Sequence, residues 1–317
     1  MENNEIRAIM KGLVYKSTGS WYIVKDGTGK FWSARTKGVL KMDDITSTNP
    51  VAVGDEVEIE PEADADNSAM INEIYDRRNY INRQSPRFKH QHHIVAANID
   101  QSILVATLKE PRTSQGFIDR FLVASEMYHV PAVIVINKTD LFRKKEDEQF
   151  EKWKNMYEGI GYNVKSISVK ENKGISEVKE SLKDKISLLS GHSGVGKSSF
   201  LNVIFPDLNL KTADISGWSG KGQHTTTFAE MFDLPFGGKI IDTPGMREFG
   251  LVDLSKQELS HYFPEMRSKL NDCQFNNCLH INEPGCAIKE AVLNAEINED
   301  RYVSYVNILD SIEEKTY

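Results

Sequence analysis

The stretch Gly191-His-Ser-Gly-Val-Gly196-Lys197-Ser198 constrains this 317-residue chain more than any other, because it has the spacing G-x-x-x-x-G-K-S. Only a loop poor in side chains lets successive backbone N–H groups curl around a phosphate chain, with a lysine reaching the terminal phosphates and a hydroxyl ligating magnesium. The candidate nucleotide-binding set is therefore Gly191, His192, Ser193, Gly194, Val195, Gly196, Lys197, Ser198 and Ser199. Lys197 is also a catalytic candidate and Ser198 a magnesium ligand. The apolar run Ile186–Leu189 predicts a strand before the loop, and Ser198–Ile204 predicts a helix after it. That flanking pattern argues against a chance Gly-rich turn.

Three further candidates sit where a strand is predicted to end. Asn137, Lys138, Thr139 and Asp140 follow the apolar run Pro131–Ile136. A carboxylate at Asp140 can accept from both guanine N1–H and the exocyclic amine, a pair of donors that adenine lacks. Leaving such a buried carboxylate unpaired is costly, so the site selects GTP over ATP. Ser168 follows Val164–Ile167 and can place an amide near the guanine carbonyl. Asp242-Thr-Pro-Gly245 follows Lys239–Ile241. There Asp242 can hold magnesium through water, and the Gly245 amide can touch the γ-phosphate, whose loss would release the loop. Gly222-Gln-His-Thr-Thr-Thr227 supplies a further hydroxyl for magnesium, at Thr226.

Around these motifs the pattern changes twice. Residues 1 to about 80 read as short strands rich in aromatic and β-branched residues, split by turn signals such as Asp26-Gly-Thr-Gly29 and Gly54-Asp55. A small closed barrel is predicted, the OB-fold being a common five-stranded form. From about Ile94, strands and helices alternate as in a parallel sheet covered on both faces. Beyond about Leu251 the chain reads as helices interrupted by cysteines. The expected organisation is multi-domain: a barrel over 1–80, an α/β P-loop domain over 81–250 and a mainly helical metal-binding segment over 251–317. Nothing resembles a membrane span, and the polar N-terminus is unlike a secretory signal, so the cytoplasm is the expected compartment.

All three cysteines fall in Cys273-x4-Cys278-x-His280-x5-Cys286. Three thiolates and an imidazole suit one tetrahedral zinc closed to water, a structural rather than a catalytic ion. The formal net charge of −7 argues against a nucleic-acid partner only on average. Between Arg7 and Lys41 there are eight Lys/Arg and a single acid, Asp26, interleaved with Trp21, Tyr22, Phe31 and Trp32. Arg77, Arg78, Arg83, Arg87 and Lys89 add cations in a stretch free of acids up to Ile99. Such strands can stack bases and neutralise phosphates; alternatively the aromatics are barrel core and the cations a solvated face.

The order of the nucleotide motifs is permuted. Asn137–Asp140 and Ser168 precede the P-loop, and Gly222–Thr227 lies between it and Asp242–Gly245. This order, with Ser47-Thr-Asn-Pro-Val-Ala-Val-Gly-Asp55 and the Cys273–Cys286 cluster, resembles the bacterial ribosome small-subunit-dependent GTPases over essentially the whole chain. The resemblance implies a circularly permuted GTPase domain between an N-terminal OB-fold and a C-terminal zinc domain. It also implies a factor that binds the small ribosomal subunit and its rRNA late in maturation, hydrolysing GTP to GDP under stimulation by the subunit; a monomer is expected. Two positions depart from the family: Gln223 stands in place of an arginine, and Val169 in place of an alanine after Ser168. The rival reading is a nucleotide-gated RNA-binding module with negligible turnover.

Many GTPases orient the attacking water with a glutamine just after D-x-x-G, but here that position is Met246, which has no donor. His224, beside the magnesium-binding threonine, is the candidate replacement, its near-neutral pKa suiting either water orientation or charge stabilisation. The alternative is a loop histidine that caps backbone groups. His224→Ala is expected to lower subunit-stimulated turnover by roughly 10²-fold with nucleotide affinity nearly unchanged. Stimulated turnover within a few-fold of wild type would instead leave the water-orienting group to the ribosome.

Overall fold

The structure, a computed structural model, describes residues 9–37, 50–62, 65–84, 92–208, 229–243, 251 and 254–312. The described chain opens with β1 (Met10–Ser17), β2 (Tyr22–Asp26), β3 (Phe31–Thr36), β4 (Glu56–Pro61) and β5 (Ser68–Ile74). β1 pairs antiparallel with β2 and β4, β2 with β3, and β4 with β5, while β3 runs parallel to β5. The ring of pairings closes, so each of the five strands is paired on both sides. Alternate residues point inward, and Val14, Tyr22, Val24, Trp32, Ala34, Val57, Ile59, Ala69 and Ile71 fill the interior. The β2–β3 turn is set by Asp26. Its carboxylate accepts from the Thr28 hydroxyl at 2.7 Å, Trp32 Nε1 at 2.8 Å and the amides of Thr28 and Lys30. Those bonds, led by the two side-chain donors, hold its pKa down at about 2.

A hairpin of β6 (Tyr80–Gln84) and β7 (His92–Ala97) follows, antiparallel, where the sequence pattern predicts none. It is fastened at Val53, which bridges Ala96. Gly54 beside it has φ +91°, and a Cβ there would lie 2.1 Å from the Ala97 carbonyl oxygen, so glycine is required. Arg77, read from sequence as part of a basic face, is instead turned inward. Its guanidinium donates to both oxygens of the fully buried Asp55 at 2.6 Å and to the Pro50 carbonyl at 2.7 Å.

The chain continues through β8 (Gln101–Thr107), α1 (Gln115–Met127), β9 (Ala132–Asn137), α2 (Lys144–Gly159), β10 (Asn163–Ser166), α3 (Ile175–Leu182), β11 (Ile186–Ser190), α4 (Lys197–Ile204), β12 (Glu230–Asp233) and β13 (Lys239–Asp242). It ends in α5 (Pro264–Arg267), α6 (Ala287–Leu293) and α7 (Glu299–Asp310). Two compact units contain these elements. The first comprises Met1–Gln101, Lys179–Ser190 and Asp214–Met246, the second Ser102–Val178, Gly191–Ala213 and Arg247–Tyr317.

In the first unit β13 runs parallel to β11 and antiparallel to β12, and β12 meets β1 at Glu230 opposite Lys16. Asp233 reinforces that junction, accepting from Tyr15 Oη at 2.6 Å and Lys25 Nζ at 2.5 Å. In the second unit β8, β9 and β10 are parallel neighbours. Every residue of β8 and β9 is buried, as expected where helices cover both faces of a parallel sheet.

The C-terminal helices share a core of Leu259, Phe263, Met266, Ile288, Ala291, Tyr305, Ile308 and Leu309, joined by Val123 of α1. At its edge Arg301 is fully buried. It donates to Asp119 of α1 at 2.6 Å and to Glu265 of α5 at 2.7 Å, while Tyr157 of α2 donates to Asp119 at 2.8 Å. Burial opposes the guanidinium charge, but the two carboxylates more than offset it and raise its pKa. Arg301→Met would leave two buried carboxylates facing an apolar group. It is expected to destabilise this unit by roughly 3–5 kcal/mol in urea unfolding. A loss below ~1 kcal/mol would show that the network does not hold α7 to α1 and α5.

Candidate nucleotide site and metal centre

The second unit gathers three of the loops singled out by sequence. β9 delivers Asn137, whose side chain is buried. Its Nδ2 donates to the Val195 carbonyl in the P-loop at 2.8 Å, and its Oδ1 accepts from the Val169 amide at 3.3 Å. One side chain thus ties the ends of β9 and β10 to the P-loop. After Asn137 the backbone turns through Lys138 at φ +65° into a short helical turn over Thr139–Leu141. This turn presents Asp140, which accepts from Ser168 Oγ at 2.6 Å. β10 stops at Ser166, short of the predicted strand. The chain folds back there, Ser168 and Lys173 exchanging backbone bonds of 3.1 and 3.0 Å in a tight loop. Ser168 Oγ also accepts from the Glu171 amide at 3.1 Å, which fixes its rotamer. The Val169 amide is thus engaged by Asn137.

The P-loop glycines have separate steric reasons. Gly191 has φ +142°, and a Cβ would fall 2.2 Å from the Val105 carbonyl oxygen; at Gly196, φ +97°, it would lie 2.4 Å from Asn137 Nδ2. Val195 is fully buried and anchors the loop, while Ser193 and Gly194 are exposed and Ser198 and Ser199 half-buried. Lys197 opens α4 and donates to the carbonyls of Gly191 at 2.6 Å and His192 at 2.9 Å, holding its ammonium over the loop. The Lys138 ammonium donates to the Glu110 carbonyl, and His192 stacks on Phe117 of α1. Sequence reasoning missed this β8–α1 segment, which carries no recognisable motif.

In the first unit Asp242 closes β13 opposite Leu189 of β11, and Thr243 Oγ1 donates to the Leu189 carbonyl at 3.4 Å. His224, Thr226 and Gly245 lie outside the described residues, as do Gln223 and Met246.

Cys273, Cys278, His280 and Cys286 converge, their ligand atoms all within 4.8 Å of one another. His280 Nδ1 lies 3.6 Å from Cys273 Sγ and 3.4 Å from Cys286 Sγ. A tetrahedral ion with sulfur at ~2.3 Å and nitrogen at ~2.0 Å has a sulfur–nitrogen edge of about 3.5 Å, so this donor set fits a metal. Burial pushes the Cys278 thiol up to about 12 and the His280 imidazole down, so Cys278 must release a proton to ligate a metal. The connecting loop is braced by Glu283. Burial opposes its charge, but the amides of Leu279, Ile281 and Asn282 donate to it at 2.8–3.0 Å and lower its pKa. α7 grips the same loop, Tyr302 and Tyr305 donating to the carbonyls of His280 at 2.6 Å and Leu279 at 2.9 Å.

On the barrel, Tyr22 and Trp32 are core, but Trp21 is 48% and Phe31 47% exposed. Lys30 lies 3.8 Å above the Trp32 ring and Arg35 5.9 Å from that of Trp21. Lys11, Lys16, Lys25 and Arg35 form ion pairs with Glu56, Glu230, Asp233 and Glu62, so part of the basic character is balanced locally. No helix among the described residues is long and apolar enough to cross a membrane.

Known proteins are similar to this chain over nearly its whole length. Residues 74–252 match the RsgA GTPase family and residues 11–71 the RsgA N-terminal domain. The chain is 49% identical to the small ribosomal subunit biogenesis GTPase RsgA 2 of Bacteroides thetaiotaomicron, over 97% of this chain and 99% of that protein. It is 50% identical to the RsgA of Cytophaga hutchinsonii, over 95% and 98%. Its fold is similar to that of YjeQ from Thermotoga maritima, with TM-score 0.77 and 36% identity, covering 96% of this chain and 98% of that one. It is also similar to YloQ, described as a circularly permuted GTPase, with TM-score 0.74, 28% identity and full coverage of both chains.

If the cysteine–histidine cluster is a structural metal site, Cys278→Ser is expected to lose most of the metal. Residues 265–290 should then exchange amide hydrogens faster, because metal binding contributes on the order of 10 kcal/mol to ordering such a segment. Nucleotide binding should persist. Undiminished metal content by elemental analysis would remove Cys278 from the ligand set.

Proposed function

This chain belongs to the RsgA GTPase family, and from that premise and the geometry of its loops we infer how it performs its reaction. It is a GTP hydrolase of small ribosomal subunit biogenesis. The observation that most supports the residue-level reading is the Asn137 bridge, which sets a base-selecting loop and a phosphate-binding loop at a fixed separation. In this reading Asp140, oriented by Ser168, accepts from guanine N1–H and the exocyclic amine, with Lys138 and Thr139 flanking the base. Gly191–Ser199 wrap the phosphates, and Lys197 neutralises charge that develops as the terminal phosphoryl group departs. Ser198, Thr226 and Asp242 would hold magnesium, which neutralises phosphate charge when bound. The Gly245 amide reports the γ-phosphate, and His224 or a ribosomal group orients the water.

The metal at Cys273, Cys278, His280 and Cys286 is proposed to be zinc. Four protein donors leave no open position for chemistry, so its role is to order the C-terminal segment. The barrel, with its exposed Trp21 and Phe31 beside cations, is proposed as the rRNA-binding surface. The division 1–80, 81–250 and 251–317, action as a monomer and a cytoplasmic location complete the reading.

Turnover of GTP with and without purified small subunits tests the core of this proposal, and strong stimulation is the expected result. In the same assay Asp140→Asn is expected to weaken GTP binding roughly 10- to 100-fold. It should also favour xanthosine triphosphate, whose exocyclic oxygen replaces the amine. Unchanged GTP affinity in this variant would reject the guanine-reading role, and turnover that is negligible with and without subunits would point to a nucleotide-gated RNA binder.

A further inference from the structure

The second residue of a G-x-x-x-x-G-K-S loop is free to vary, and its side chain need not touch anything for the backbone to cradle phosphate. Here it is His192, and its imidazole is stacked on Phe117 with ring centroids 3.7 Å apart and planes inclined by 28°. Phe117 belongs to α1, outside every nucleotide motif in the sequence.

The stack bears on more than the His192 side chain. The carbonyl of the same residue is one of the two that receive the Lys197 ammonium, so holding the ring holds the peptide that positions the phosphate-binding lysine. The same segment runs close to the loop again at Gly194, where an added Cβ would lie 3.4 Å from Pro111 Cδ. It also receives the Lys138 ammonium at the Glu110 carbonyl. Its support is rigid. Ser114 caps α1 by accepting from the Phe117 amide at 3.3 Å, and two residues on, Asp119 is locked by Arg301 and Tyr157. A ring mounted on such an element can preorganise a loop that would otherwise lose entropy on binding.

We propose that Phe117 is a positioning residue for the nucleotide: through the His192 ring it holds the P-loop, with Lys197, in the form that receives the phosphates. This rests on the reading of Gly191–Ser199 as the GTP site. The Phe117 side chain acts through His192 rather than on the nucleotide itself.

The test is a double-mutant cycle on fluorescent GDP and GTP analogues, with KM and kcat measured alongside. Phe117→Ala is expected to weaken binding about 3- to 10-fold, the range an aromatic pair supports. Phe117→Leu, which fills space without a stacking face, should lose a similar factor, and Phe117→Tyr should restore affinity to within about twofold. His192→Ala should cost as much as Phe117→Ala, and the double variant no more than either. KM should rise with kcat changed less, and unchanged melting temperature and metal content would confirm intact folding.

Wild-type affinity in Phe117→Leu, or an undiminished effect of Phe117→Leu in the His192→Ala background, would overturn the proposal. Should Phe117→Ala fail to fold, the Leu, Tyr and His192→Ala variants give the same reading. Failure of the unaltered chain to bind GTP would instead sink the assignment of the site itself.

Discussion

The side-chain amide of Asn137 bridges the Val195 carbonyl of the P-loop and the Val169 amide beyond β10, and the proposed nucleotide site depends on that bridge. Loops at strand ends have few backbone partners of their own, so their relative positions must be fixed by side chains. A buried amide does this with direction as well as distance, since it donates on one side and accepts on the other. The glycines answer to it: a Cβ at Gly196 would strike Asn137 Nδ2 at 2.4 Å, so the P-loop can approach only because that residue has none. Asp140 then inherits a defined place, three residues further along the same chain and bonded to Ser168.

A permuted chain order does not disturb this logic. What the chemistry requires is that the loops after parallel strands converge, and any connectivity that preserves the strands preserves the convergence. Permutation does change what lies next to Asp242 along the chain. Asp242 ends β13 only a few residues before the C-terminal segment begins, and β12, just upstream, is joined to barrel strand β1 through Tyr15 and Lys16 and to β2 through Lys25. The β12–β13 hairpin is therefore bonded to the barrel, and its chain continues into the segment that carries the cysteine–histidine cluster.

The C-terminal segment shows how a short helical piece acquires a single structure. Its helices are brief, α5 spanning four residues and α6 seven, too short to be stable alone. They are ordered by an apolar core around Phe263 and Tyr305, by the four-donor cluster and by the Arg301 network. The network is the most specific of the three. A buried guanidinium between two carboxylates disfavours any docking of α7 on α1 and α5 that leaves those charges unpaired.

How much of this was written locally can be judged residue by residue. The P-loop, the Asn137–Asp140 turn, the cysteine–histidine spacing and the alternation of strands and helices were legible, because each depends on residues close together in the chain and on periodicities of the backbone. The β6–β7 hairpin was not legible, since masking by a basic, histidine-rich stretch hides its alternation. Nor could the sequence tell which cations were surface. Arg77 looked like part of a nucleic-acid face and is instead the partner of buried Asp55, 22 residues away. The same limit applies to Arg301 and Asp119, separated by 182 residues, and to Phe117 and His192, which no motif links. The sequence by itself determined which chemical groups the chain carries and the local turns that present them. Only the tertiary structure decided which of those groups meet, because a contact between distant residues leaves no trace in either one's neighbourhood until the packing that joins them has formed.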